Sequence, residues 1–449
     1  MKFKHLTILL SLILLSSSSF AQSDWVELFN GKNFKGFKQL NGKAKYEAKN
    51  GMMIGSTVLN TPNSFMATTQ DYADFILEFD VLCDPNLNSG VQIRSHSYKE
   101  YNNGRVHGYQ IEIDPSDRAW SAGVYDEARR GWLYPLGDNP KAGAAYKVDG
   151  WNHYHIEAIG NTIKTWINGV HAANLIDDAD PSGFIAFQVH GVGNNKEKEG
   201  IKVIWKNIRI VTENLDMYKW PVNCEVKEIS TTPNSLTKEE KAEGWALLWD
   251  GKTSKGWRGA GKDNFPTGGW QMKDGVLTVN ESGGTEEGNG GDIITVEKYK
   301  NFELCLDFKL TPGANSGIKY FVWEQGNGAL GHEYQLLDDA EHPDAKNGVG
   351  GNRTLGSLYD LIPSDKSVKP KNPGQWNTAR IVIDNGHVEH WLNGNKIVDY
   401  ERGTQIYQAL IQKSKYAGYE PFTKVEEGHI LLQDHGNTVS FRNIKIREL

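Results

Sequence analysis

The chain repeats itself once, in order, over most of its length. Trp25-Val26-Glu27-Leu28-Phe29-Asn30-Gly31-Lys32 returns as Trp245-Ala246-Leu247-Leu248-Trp249-Asp250-Gly251-Lys252, and Asn88-Ser89-Gly90-Val91 as Asn315-Ser316-Gly317-Ile318. Tyr109-Gln110-Ile111 returns as Tyr334-Gln335-Leu336, Gly123-Val124-Tyr125-Asp126 as Ser357-Leu358-Tyr359-Asp360, and Trp166-Ile167-Asn168-Gly169 as Trp391-Leu392-Asn393-Gly394. Gln188-Val189-His190-Gly191 answers to Gln433-Asp434-His435-Gly436, and Trp205-Lys206-Asn207-Ile208 to Phe441-Arg442-Asn443-Ile444. One order kept through every pair marks the tandem duplication of a whole domain, and two copies do not make a solenoid. The 449 residues are also too many for a single core.

Each copy reads as β. Phe75-Ile76-Leu77-Glu78-Phe79-Asp80 alternates between apolar and polar, and 155–166 is two strands about a Gly160-Asn161 turn. Its counterpart, 380–392, turns at Asn385-Gly386, a strong hairpin signal because both residues tolerate positive φ. Many short strands with regular turns predict an all-β chain of two tandem β-sandwich (jelly-roll) domains, 22–211 and 244–449. Residues 212–243 read as a linker, with Thr237-Lys238-Glu239-Glu240 as a capping box that opens one short helix.

Residues 1–21 read as a signal peptide: Lys2 and Lys4, an apolar run over 6–15, then Ser19-Phe20-Ala21 as a small-x-small cleavage site. The expectation is secretion across the inner membrane, to a periplasmic or extracellular location. That run is short for a bilayer span, and no membrane insertion is expected. A net charge of −7 without a basic stripe argues against nucleic acid as a partner. Cys83, Cys224 and Cys305 match no metal knuckle. They read as buried thiols, with at most one disulfide, and Cys224 between the copies is the one expected to be exposed.

Read with period 2, Glu333 and Gln335 share one strand face, and Tyr334 and Leu336 the other. Gln433 and His435 share a face opposite Ile430 and Leu432, and Lys319 faces away from Ile318 and Tyr320 to join them. In the first copy Gln92 and Arg94 face away from Val91 and Ile93. They would join Gln110, Glu112 and Asp114, then Gln188 and His190. Along the repeat, Glu333 aligns with Gly108 and Glu112 with Leu337, which sets the second copy's carboxylate about four residues earlier. Loops after these strands, 338–359 and 125–132, are long enough to be functional. His332, Glu333, His342 and His435 offer mixed nitrogen and oxygen donors for a divalent metal ion, at an unspecific spacing. There is no nucleophile elbow, P-loop or dinucleotide fingerprint, so no nucleotide cofactor is expected.

At Asn315-Ser316-Gly317-Ile318, Glu333-Tyr334-Gln335, His342-Pro343-Asp344-Ala345, Gly351-Asn352-Arg353-Thr354, His390-Trp391-Leu392-Asn393-Gly394 and Gln433-Asp434-His435-Gly436 the second copy resembles the 3-keto-disaccharide hydrolase family. The first copy resembles a divergent branch of it through Asn88-Ser89-Gly90-Val91-Gln92, Gly108-Tyr109-Gln110-Ile111-Glu112 and Tyr125-Asp126-Glu127. The resemblance implies a concanavalin A-like jelly roll and a carbohydrate substrate, a glycoside whose C3 hydroxyl is already a ketone. Such a ketone acidifies the C2 hydrogen, so a base can generate an enolate that expels the C1 aglycone. A cation at the ketone oxygen stabilises the developing charge.

On that basis Glu333, His435 and Lys319, with Glu112 and His190 in the first copy, are the candidate catalytic residues. Gln335, Gln433, Tyr359, Arg353 and Trp391, with Arg94, Gln110, Tyr125 and Gln188, are the candidate substrate contacts. His332 and His342 are the candidate metal ligands. The competing expectations are a tandem carbohydrate-binding module without catalysis, in which Trp391 and Trp323 would stack on sugar rings, and an ordinary glycosidase acting on unoxidised glycan.

Overall fold

The structure, a computed structural model, describes residues 24–283, 290–325 and 328–449. The segment read as a signal peptide lies outside the described residues. The chain divides into two compact units, Met1–Lys227 and Glu228–Leu449. Each is a β-sandwich.

In unit 1 the back sheet runs Val170–Ile176, Thr162–Ile167, Asn152–Ile159, Phe75–Cys83, Lys202–Val211, Met52–Ser56, Lys45–Lys49. The front sheet runs Gly131–Tyr134, Val124–Glu127, His107–Ile113, Ser89–His96, Gly183–Val189, Ser64–Tyr72, Phe37–Asn41. Consecutive positions along a strand face opposite ways, so Val91, Ile111 and Phe187 drop inward from the front sheet to meet Phe79, Tyr154 and Trp205 of the back sheet, all fully buried. Phe79 stacks on Tyr154 at 4.9 Å and Phe187 meets Trp205 edge-on at 5.5 Å. Each such side chain stabilises the fold by about 1.5–3 kcal/mol relative to exposure.

Unit 2 repeats the plan. Its back sheet runs Trp270–Lys273, Val276–Val279, Val439–Glu448, Phe302–Leu310, Asn377–Asp384, His387–Leu392, Asn395–Glu401, and its front sheet Trp257–Gly259, Ile293–Thr295, His429–Leu432, Asn315–Gln325, Gly328–Leu337. Phe302, Leu304, Leu306 and Phe308 pack against Ile318, Tyr334, Leu336 and Leu432 to make its core. The Asn385-Gly386 hairpin forms as its residues dictate, with φ of +48° and +95° and Asp384 paired to His387. Thr237 and Glu240 form the reciprocal cap on the short helix Lys238–Ala242: Glu240 N donates to Thr237 Oγ1 (3.1 Å) and Thr237 N to Glu240 Oε2 (2.9 Å). The helix Gln405–Gln412 brings Tyr407 onto His332, the two rings stacked at 6.1 Å.

The three cysteines are free, with Cys83 buried, Cys305 half-buried and Cys224 exposed. Among the described residues no helix is long and apolar enough to cross a membrane.

Candidate functional site

The site of unit 2 is built on one antiparallel ladder. Strands Asn315–Gln325 and Gly328–Leu337 set Lys319 opposite Glu333 and Gly317 opposite Gln335. Alternation turns these four to the outer face of the front sheet, while Ile318 and Tyr334 turn into the core. Glu333 is only 5% exposed. A Cβ on Gly317 would stand 2.5 Å from Glu333 Oε1, so the glycine leaves the space that the carboxylate fills. Gln335, with its amide oriented to suit its neighbours, donates to Glu333 Oε1 (3.0 Å) and to the Ser316 carbonyl (3.0 Å). Lys319 Nζ lies 3.8 Å from Asp292 Oδ2.

The strand His429–Leu432 ends beside this ladder, and Gln433 N donates to the Gly317 carbonyl (3.0 Å). Asp434 is fully buried and accepts from Gly291 N and Gly436 N (both 3.0 Å), so it fixes the turn rather than facing a substrate. His435 is half-buried, its Nδ1 buried without a partner. His342 meets it edge-on at 6.1 Å between ring centroids and accepts at Nδ1 from Asp344 N (3.2 Å). Burial, and then the nearby His435, pull the His342 pKa down.

The long loop after Gly328–Leu337 is tied back to the strand by Tyr359 N, which donates to the Glu333 carbonyl (3.0 Å). Tyr359 OH donates to Asp344 Oδ2 (2.8 Å). Arg353 donates through Nε to Asp360 Oδ1 (2.8 Å) and through Nη1 to Asp344 Oδ1 (3.3 Å), with its guanidinium 5.3 Å from the Tyr359 ring centroid. Arg353 and Tyr359 are therefore held ready beside the acid rather than free in solvent.

A further cation lies outside the repeated motifs. Lys415 Nζ sits 4.2 Å from the Tyr359 ring centroid, and its charge is felt by Glu333 and Lys319. The residue as a whole is exposed, yet desolvation around its ammonium lowers its pKa more than the nearby Glu333 raises it. Lys415 belongs to the stretch between Asn395–Glu401 and His429–Leu432, for which the first copy has only the short link from Val170–Ile176 to Gly183–Val189. The one sequence signal that could have found it is that difference in length.

Unit 1 carries the same ladder with different chemistry. Gln92 stands opposite Gln110 and Gly90 opposite Glu112. Ser89 Oγ donates to the Gln188 carbonyl as Ser316 Oγ does to the Gln433 carbonyl. Tyr125 pairs with Gln110, and Tyr359 with Glu333. Gln110 therefore occupies the place of Glu333, and Glu112 that of Gln335. The alignment of Glu333 with Gly108 is corrected: the acid and amide have exchanged places on one face, one same-face step apart. Glu112 accepts from Asn88 Nδ2 (2.7 Å), Gln110 Nε2 (2.9 Å) and Arg118 Nη2 (3.0 Å), and burial raises its pKa. His190 is half-buried, and its Nδ1 lies 2.8 Å from the Gly191 carbonyl.

Three expected site residues lie elsewhere. Arg94 sits at a bulge with φ of +45°, which breaks the alternation that placed it with Gln92. It is fully buried and clamps the Ala73 and Gly160 carbonyls (both 2.7 Å) and Asp74 Oδ1 (3.0 Å). His332 shares the inward face of Tyr334, is fully buried, and stacks on Phe422 at 4.2 Å, where desolvation holds its pKa well below the usual imidazole value. It cannot join His342 and His435 around a metal ion. Trp391 is on the back sheet, bonded through Nε1 to Glu389 Oε2 (2.8 Å) and lying under Arg380. Trp323 packs edge-on against Phe422. Among the described residues, the group of three that could hold a metal is His387, Glu389 and Asp399, also on the back sheet, where Lys396 bridges the two carboxylates.

Fold and site together define a tandem jelly-roll protein whose second sandwich carries a buried carboxylate across a ladder from one lysine, with a second lysine and a pair of imidazoles in the segments that follow. The chain belongs to the family of 3-keto-alpha-glucoside-1,2-lyase-like domains, whose pattern matches residues 24–211 and again 244–447. It is 40% identical over 241 residues, 48% of this chain and 82% of the other, to a 3-keto-disaccharide hydrolase of Bacteroides thetaiotaomicron. Two Parabacteroides distasonis ATCC 8503 proteins of solved structure, both provisionally called glycosyl hydrolases, are also similar. One is 33% identical with a TM-score of 0.44, over 48% of this chain and 99% of that one. The other is 29% identical with a TM-score of 0.35, over 46% and 99%.

Proposed function

We propose that unit 2 cleaves the glycosidic bond of 3-keto-glycosides by elimination, and that the chain is exported to do so. The observation that carries the reading is the Lys319–Glu333 rung: a shielded carboxylate directly across a ladder from an ammonium group. Glu333 takes the C2 proton, and the electron pair moves into an enolate whose oxygen, formerly the C3 ketone, is met by Lys319 or Lys415. The C1–O bond then breaks, and His435 returns a proton to the departing aglycone oxygen. Addition of water across the resulting C1–C2 double bond makes the net reaction a hydrolysis. Gln335, Gln433, Arg353 and Tyr359 are suited to hold the sugar hydroxyls, since each offers donors or acceptors beside the acid. His342 and His435 are the residues that would hold a divalent ion if one serves the ketone oxygen. Family membership and the named relative support the substrate class, and the basic, apolar and small-residue segments within 1–21 support export.

The test is release of a chromogenic aglycone from a 3-keto-glucoside beside its unoxidised parent. Release from the keto form alone is expected. Release from the parent at a similar rate would replace elimination by ordinary glycoside hydrolysis.

A further inference from the structure

We propose that the front face of unit 1 is a site that binds neutral, unoxidised sugar without cleaving it. This goes beyond the reaction assigned to unit 2. The place of Lys319 is taken by Gln92 and that of Glu333 by Gln110, so the charged pair that would generate an enolate becomes a pair of amides. Gln110 Oε1 accepts from both Gln92 Nε2 (2.7 Å) and Gln188 Nε2 (2.9 Å), while its own Nε2 donates to Glu112. A group locked this way cannot take up a proton from carbon. Gln188 is fully buried in this ladder, and its Oε1 has no donor. A buried amide oxygen left without a donor costs free energy, and a water or a sugar hydroxyl that reached it would supply one.

Beside the amides lies an aromatic cluster. Trp132 pairs with Tyr125, and Tyr125 with Gln110, which puts all three on one face. Trp120 meets Trp132 edge-on at 4.7 Å and Tyr125 meets it at 5.2 Å, and all three rings are half-exposed. Arg118 lies 5.1 and 4.9 Å from the two indole centroids and carries its charge to Glu112 and Asp114. The other acid of this face, Glu127, is paired with Arg105 (3.5 Å). Arg118 lies over one side of each indole, as Arg353 and Lys415 lie over Tyr359, the ring of unit 2 that matches Tyr125. Apolar ring faces beside fixed amides, with each acid neutralised by an arginine, suit the flat C–H face and equatorial hydroxyls of a neutral hexose.

The experiment uses the full chain carrying Lys319→Met and Glu333→Gln, with cellobiose, trehalose and maltose as probes in titration calorimetry. At least one disaccharide should bind this double variant, and adding Trp132→Ala or, separately, Trp120→Ala should weaken that binding roughly tenfold or more. Binding by none of the probes, or binding that neither tryptophan affects, overturns the proposal. So does residual turnover of a 3-keto-glucoside in the double variant that disappears on adding Glu112→Gln, because unit 1 would then be catalytic. Failure of the wild-type chain to cleave a 3-keto-glucoside bears on unit 2 alone and leaves these outcomes readable.

Discussion

Lys319 and Glu333 face each other across one ladder rung, and the same rung in unit 1 holds Gln92 and Gln110. The two copies share a backbone frame and differ in whether that rung carries charge. If Glu333 removes the C2 proton, Glu333→Gln lowers kcat on a 3-keto-glucoside by roughly 10²–10⁴-fold. On the same reading Lys319→Met, which would remove a cation from the enolate oxygen, lowers it by roughly 10²–10³-fold. Steady-state rates decide it: full activity in the glutamine variant would remove Glu333 from the base role.

Gly317 is the neighbour that makes room for the acid. An alanine there would put its Cβ 2.5 Å from Glu333 Oε1, and the far end of that side chain is what must yield. The three atoms nearest that Cβ all belong to the Glu333 side chain, so the sandwich should fold while the carboxylate moves. A displacement of the order of an ångström costs about a hundredfold in rate. Gly317→Ala should therefore show an ordinary melting transition and a depressed kcat. A variant with unchanged kcat would show that the carboxylate has slack in its position.

Much of this was legible beforehand, and the failures have physical causes. The order of the repeat and the Asn385-Gly386 turn follow from local residue chemistry, and both are seen in the fold. Alternation alone gave the shared face of Lys319, Glu333 and Gln335. It failed at Arg94 because a bulge with positive φ resets the phase, and the equivalent bulge in unit 2 places Phe321 at φ of +52°. Matching Tyr109 to Tyr334 sets the copies two residues out of register, whereas the hydrogen-bonded pairing matches Ile111 to Tyr334. His332 cannot share a metal ion with Glu333, because neighbours on a strand face opposite ways.

Lys415 was invisible to the repeat because it lies in a stretch the first copy lacks. Its ammonium, seated on Tyr359 and within the influence of Glu333 and Lys319, is positioned to serve the developing charge. Lys415→Met should lower kcat about tenfold or more while changing KM little, the pattern of an interaction made in the transition state. A rise in KM at constant kcat would instead make Lys415 a ground-state sugar contact.

Of the three histidines expected to serve a divalent ion, His342 and His435 stay together and His332 points into the core. With Lys319 and Lys415 already supplying positive charge, activity should survive dialysis against EDTA. Loss of activity that returns with a divalent cation, and that His342→Ala prevents from returning, would place a metal ion on the imidazole pair.

Buried histidines give unit 2 a pH dependence of known sign. His332 and His390 are both fully buried, and desolvation lowers their pKa values, His332 well below the usual range and His390 to about 4. His390 is fixed by the Gly356 carbonyl at Nδ1 (3.0 Å) and Tyr320 OH at Nε2 (2.9 Å). The folded state keeps both neutral, whereas the unfolded chain binds protons below about pH 6.5. Their contribution is therefore intact above that pH and is lost as pH falls from about 6.5 towards the folded-state values. The loss approaches about 1.4 kcal/mol per pH unit for each histidine. Calorimetric melts of the full chain between pH 7 and 5 should show one transition shifting steeply downward, and His390→Gln should remove about one proton from its slope. An unchanged slope in that variant would mean that the ring is solvated in the folded protein.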